Sequence, residues 1–236
     1  LSGERNFASL LKFSLPTIVM MVFMSLYGMV DGVFVSRLIG TDALSAVNIV
    51  YPIVSVVIAV GIMLATGGSA IIARKMGEGN SPEARQDFTL ITIAGVVLGV
   101  FIPAACLLFL DPILRFLGAS DVLYQLCREY AYYMVWFTIP AILQMLFQTF
   151  FITAGRPIIG MVLIIAAGIT NIILDYVFIA ICDMGIAGAA LATGIGYCIP
   201  ALFGLIYFAT GINPNLHFVK PVWNGQVLRN ACVNGS

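Results

Sequence analysis

The chain has 236 residues, 61% of them hydrophobic and 9% charged, and its eleven basic and eleven acidic side chains give a formal net charge of zero. A soluble domain carries about 25% charged residues, so an ordinary water-soluble globule is excluded. Zero net charge offers no basic balance for binding nucleic acid or another polyanion, and neither is expected as a partner.

Charge-free stretches run from Phe13 to Val30, Ala43 to Ala73, Phe88 to Leu110, Tyr130 to Gly155, Pro157 to Leu174 and Met184 to Val219. Each is near or beyond the roughly 20 residues that cross a bilayer as helix. Lipid leaves the backbone no water to bond with, so helix is the expected spanning form. The fold class is therefore all-α: a polytopic membrane protein with a six-transmembrane-helix bundle over residues 1–212, then a linker and the start of another helix over 213–236. The first apolar run continues through Asp31 into Val35 and reads as a retained helix, not a signal peptide. Cys106, Cys127, Cys182, Cys198 and Cys232 are scattered without a CxxC pair and read as small core residues.

Basic residues divide unevenly between the two sides. Arg5, Lys12, Arg74, Lys75, Arg85, Arg156, Lys220 and Arg229 fall on one side, against Arg37, Arg115 and Arg128 on the other. The positive-inside rule then puts both ends of the segment in the cytoplasm of a multi-pass cell-membrane protein.

Span one, about Leu11 to Val35, holds Pro16, which either bends the helix or sits harmlessly near its start. Tyr27 shares a face with Asp31, and Gly28 and Gly32 have the spacing of a close helix contact. Met20, Met21, Met24 and Met29 form either a soft ligand surface or ordinary packing and lipid contact. Span two, Leu44 to Ile72, contains Asn48, Pro52 and the small-residue run Ala65 to Ala70. The loop Arg74 to Glu83 lacks phosphate-cradling spacing and reads as a solvated turn. Span three, Phe88 to Leu110, has Gly95 and Gly99 at contact spacing.

Span four begins near Tyr130, with Tyr132, Tyr133 and Trp136 as headgroup-layer anchors. Deeper in it, Gln144 and Gln148 share a face. Span five, Pro157 to Ile181, carries Asn171 and Asp175 four residues apart, hence on one helix face. A carboxyl inside a membrane span is costly and by default functional. The alternative is a carboxyl that only locks packing. Span six, Ile186 to Tyr207, opens on the small-residue run Gly185 to Thr193. Tyr27, Asn48, Gln144 and Gln148 are candidate cavity-lining residues. The segment Gln226 to Cys232 faintly echoes Ser9 to Leu15, as a carrier built from repeated halves would show.

At 1.5 Å per residue, Asp31 and Asp175 each lie about 27 Å along their helices from the cytoplasmic side, with Asn171 about 6 Å lower. Thr193 comes down about 15 Å from the outer face, so all four can meet in the outer half of the membrane. Two carboxylates, an amide oxygen and a hydroxyl are hard ligands that suit a small hard cation or a proton. Two adjacent carboxyls cannot both ionise cheaply and titrate as a coupled pair. An ion binding there changes the charge of the site and can bias helix one between two arrangements.

On Pro16, Asp31-Gly32-Val33-Phe34-Val35-Ser36-Arg37, the Gly77-Glu78-Gly79 loop, Asn171-Ile172-Ile173-Leu174-Asp175 and Gly185 to Thr193, the chain resembles the multidrug and toxic compound extrusion (MATE) family, particularly its bacterial drug-pump branch. The resemblance covers nearly the whole chain. It implies the amino-terminal half of a twelve-helix transporter, with a second six-helix bundle and the lipid bilayer as partners. It further implies export of organic, often cationic, small molecules in exchange for sodium or protons, with no cofactor. By the same resemblance Asp31, Asn171, Asp175 and Thr193 match the ion or proton site between spans one, five and six, and Pro16 matches a proline associated with bending.

A lipid-linked-oligosaccharide flippase is the alternative carrier, but anionic headgroups want a basic cavity and the spans offer acids and amides. An enzyme is not expected. The only histidine, His217, lies outside the spans and there is no Gly-x-Ser-x-Gly motif. Asp31 and Asp175 could still form an aspartyl-protease dyad, and a passive channel also stays open.

Overall fold

A computed structural model describes the backbone of residues 7–236 and the side chains of residues 14–236. Arg5 and the Lys12 side chain, counted in the basic side above, lie outside the described residues. Nine helices follow one another among the described residues: α1 Phe7–Phe34, α2 Thr41–Gly77, α3 Ser81–Leu108, α4 Leu110–Phe116, α5 Tyr124–Trp136, α6 Thr138–Thr153, α7 Pro157–Asp175, α8 Gly185–Ala209 and α9 Gly225–Gly235. Wider π-helical turns, Val35–Ile39 and Tyr176–Ile181, extend α1 and α7.

Five of the expected spans are continuous, and the fourth is not. It is the pair α5 and α6, bent by 55° at Phe137. The cause is Pro140. It has no N–H to give the Trp136 carbonyl, and its ring crowds that turn. The Thr138 hydroxyl donates to the Val135 carbonyl at 2.7 Å, satisfying part of the opened ladder. Helix α1, by contrast, runs on through Pro16 without interruption.

Small residues set the helix contacts. A side chain on Gly95 would meet Leu146 at 2.6 Å, and one on Gly99 would meet the Ile139 backbone at 3.0 Å. In the Ala65 to Ala70 run, Gly68 abuts Ile91 and Phe150, and Ser69 shares a 2.6 Å hydrogen bond with Thr153. Ala187, Gly188, Ala189, Ala190 and Ala192 of α8 are buried against their neighbours. Gly28 and Gly32 do not join this pattern: Gly28 has open space around it, and the nearest atom to a Gly32 side chain is Leu44 Cδ1 at 4.0 Å. Spacing reports a face, and this face of α1 points outward. The α1 methionines form no common surface, since Met20 is fully buried while Met21 and Met29 are exposed.

Two apolar clusters fill the bundle. The smaller joins Val35, Ala46, Val50, Leu114, Cys127 and Ile186 at one end. The larger, toward Lys75 and Arg156, is built on Phe88, whose ring lies 5.0 Å from each of Phe150, Phe208 and Phe218. Phe218 comes from the connection after α8, which is pinned and not a free linker. Asn213 donates to the Ala154 carbonyl at 3.3 Å and accepts from the Asn215 and Leu216 amides, while Val219 donates to Thr89 at 3.1 Å. Truncating Phe88 to Ala empties the centre of this cluster at a cost of about 3–5 kcal/mol. A lower unfolding midpoint for the purified full chain, with Phe116→Ala as an exposed control, is the expected result.

The Arg74 to Glu83 turn is largely exposed, as expected of a solvated turn, with one side chain as the exception. Lys75 turns inward, 2.6 Å from Asp87 Oδ2 and 3.1 Å from Glu83. The Asp87 contact is an ion pair by distance and not an aligned hydrogen bond, and Asp87 is buried. Helix α9, capped by Asn224, then runs antiparallel along α2 with backbone nearly touching backbone. A Gly67 side chain would sit 1.8 Å from the Ala231 carbonyl, and a Gly235 side chain 2.0 Å from that of Met63.

Candidate functional site

Helices α1, α7 and α8 pack side by side. Gly168 makes the closeness possible, since a side chain there would meet Phe23 at 2.5 Å and Tyr27 at 2.9 Å. One turn beyond Tyr27 on α1 comes Asp31, and two turns beyond Gly168 on α7 comes Asp175, so the two carboxyls face each other within hydrogen-bonding reach. Asp175 is fully buried and Asn171, one turn before it, is buried as well. Asn171 Nδ2 donates to Thr193 Oγ1 of α8 at 3.4 Å. All four residues expected at the ion site are thus brought together.

The π-helical turns lie just beyond these carboxyls and touch each other. Their wide loops close through Gly40 N–H to the Val35 carbonyl at 3.1 Å and Cys182 N–H to the Val177 carbonyl at 2.9 Å. Such turns recur at functional sites because they re-aim side chains without ending the helix.

Below the carboxyls lies a cavity of about 10 Å³, lined by Tyr27, Gln144, Ala167, Asn171, Thr193, Gly196 and Tyr197. That is room for about one water. Tyr27 and Gln144 therefore line it as expected. Gln148 sits one turn further along α6 with a buried, unpartnered Oε1. Asn48 is exposed on α2 and stands apart from this cavity.

The chemistry of the site lies in what its atoms lack. Both Asp175 oxygens and one oxygen each of Asp31, Asn171 and Gln144 are buried without a hydrogen-bond donor. No Lys or Arg is buried among the described residues. A buried acceptor without a partner costs about 1–3 kcal/mol, and an unpaired charge considerably more. A proton shared by the facing carboxyls, or a small cation drawing on carboxylate, amide and hydroxyl oxygens, meets that demand. Pro200 adds another acceptor, because it cannot donate to the Gly196 carbonyl one turn back.

Two tyrosines at the site were not singled out from sequence. Tyr130 stands beside Arg128 and Glu129 and opens the anchor cluster, yet it is buried in the same apolar cluster as Val35 and Ile179, which lie one turn beyond Asp31 and Asp175. Tyr197 lines this cavity and also a second, apolar cavity of about 20 Å³ beside the α5–α6 break. The spacing of Tyr130 and Tyr197 from Tyr27 and Asp31 is tertiary, and no local pattern reveals it.

Comparison with known proteins identifies the family and the fold. The MatE family profile matches residues 16–177. Multidrug export protein MepA of Staphylococcus aureus is 28% identical over 218 residues, covering 91% of this chain and 48% of MepA. A MOP superfamily transporter from Pyrococcus furiosus superposes with a TM-score of 0.89 at 25% identity, over 95% of this chain and 50% of that one. A MATE structure in the straight conformation gives the same TM-score, identity and coverage. The chain spans about half the length of these relatives. With a profile match across most of its length, this six-span bundle belongs to the MatE family of membrane transporters.

Proposed function

We propose that the protein containing this chain is a secondary antiporter that exports organic, often cationic, small molecules in exchange for sodium or protons. The observation that carries the proposal is the facing pair Asp31 and Asp175, set among unpartnered oxygens with no buried basic group. Asp31, Asn171, Asp175 and Thr193 take the coupling ion, and Tyr27, Gln144 and Gln148 line the approach to it. Ion occupancy changes the charge between α1 and α7, and so shifts the balance between two placements of α1. The kinship with MepA, a multidrug export protein, supports the substrate class. Arg74, Lys75, Arg85 and Arg156 mark the cytoplasmic side, and the second half of the relatives' length supplies a second bundle. A flippase of phosphate-bearing lipids would need the basic lining that this site lacks.

The test is transport by the full-length protein in sealed vesicles. Export of a cationic dye should accelerate when an inward sodium or proton gradient is imposed and return to the baseline when an ionophore dissipates it. Equal rates with and without the gradient would mark a passive channel, and cleavage of a membrane peptide by the purified protein would mark the carboxyl pair as a protease dyad.

A further inference from the structure

We propose that the groove between the α3–α4 junction and α5 binds a zwitterionic phospholipid of the ethanolamine type, with its phosphate on Arg128 and its ammonium on Asp111. The groove has a volume of about 400 Å³ and lies on the outside of the bundle, away from the ion site. One wall is the stripe Arg128, Tyr132 and Trp136, spaced four residues apart along one face of α5. Leu107 and Leu108 of α3 form the facing wall, and Leu108 and Trp136 are among the most exposed apolar side chains of the chain. The groove is thus charged at one end and apolar at the other, the polarity of a lipid that enters with its chains toward the membrane interior. Tyr132 and Trp136, 6.2 Å apart between ring centres, suit the headgroup layer.

The charged end is incompletely paired. Arg128 Nε is 3.8 Å from Asp111 Oδ1, too far for a hydrogen bond, and Arg128 makes none among the described residues. Asp111 Oδ1 already accepts from the Tyr124 hydroxyl at 2.5 Å, which leaves Oδ2 without a partner among the described residues. A guanidinium with free donors next to a carboxylate with a free oxygen complements a headgroup that carries phosphate and ammonium side by side. Asp111 repels the uncompensated charge of an anionic glycerol lipid. A choline headgroup carries the positive charge but has no N–H to donate to Asp111.

The test uses a full chain in which Trp136 is the only tryptophan, reconstituted with lipids brominated on their acyl chains. Ethanolamine lipid should quench Trp136 with a relative association constant roughly two- to fivefold above that of choline or glycerol lipid, the gain expected from half-exposed ion pairs. Arg128→Gln and Asp111→Asn should each bring that ratio to about one, while Arg128→Lys keeps part of it. Equal quenching by all three headgroups, a preference for the glycerol lipid, or an ethanolamine preference that survives both substitutions would overturn the assignment. Because both substituted positions, Arg128 and Asp111, are on the surface, folding of the variants is verified by their elution and unfolding midpoint.

Discussion

Replacing Asp175 with Asn in the full-length protein is expected to abolish ion-driven export of a cationic dye while leaving the protein at least as stable as before. The two halves of this result separate a functional carboxyl from a packing one. Asparagine keeps the shape and an acceptor oxygen but removes the charge and the exchangeable proton. For a bound cation, losing one of two close carboxylates from a buried site costs about 3 kcal/mol or more, on the order of a hundredfold in affinity. For a proton the site loses one of its two members outright. Stability should move the other way, because both Asp175 oxygens are buried without donors and neutralising them removes a burden. Asp31→Asn should reproduce the transport loss. A variant that exports normally under the gradient, or one that loses export only because it unfolds, would sink the ion-site reading. Asp175→Glu is a weaker probe, since the extra methylene has no room at a fully buried position.

How much of this was readable in the residues follows from which interactions are local. The spans were visible because lipid excludes charge over some 20 consecutive residues. Asn171 and Asp175 were visible because a helix puts residues four apart on one face. Gly95 and Gly99 were read correctly by their spacing, and Gly28 and Gly32 incorrectly by the same spacing, because periodicity identifies a face without saying what it meets. The break at Phe137 had a signal in Pro140, hidden within a long charge-free run. Tyr130 was absorbed into the anchor cluster because its sequence neighbours Arg128 and Glu129 are charged, although its side chain points the other way from theirs, inward. The pairing of half-buried Lys75 with buried Asp87 and the meeting of Asp31 with Asp175 depend on helices docking. Only the second could be anticipated, from matched heights along two spans. The π-helical turns had no sequence marker at all.

Gly168→Ala is expected to disable coupling without altering any of the four residues that take the ion. The new methyl would lie 2.5 Å from Phe23 Cε1 and 2.9 Å from Tyr27 Cδ1, and aromatic rings on a packed helix cannot bend away as a flexible chain end can. Helix α1 must therefore move off α7, by about 1 Å to restore ordinary contact. Asp31 follows Tyr27 by a single turn, so the displacement carries its carboxyl out of hydrogen-bonding reach of Asp175. The proton or cation then loses one carboxylate of the pair, and gradient-driven export should fall by at least about tenfold, the factor that 1.4 kcal/mol of lost affinity gives. The mechanism is steric, so it can be reversed: Phe23→Ala removes the closer contact, and the double variant should regain part of the lost coupling while Phe23→Ala alone gains none. If Gly168→Ala exports at the wild-type rate, or if Phe23→Ala fails to relieve its defect in a correctly folded protein, close docking of α1 on α7 is not what holds the two carboxyls together.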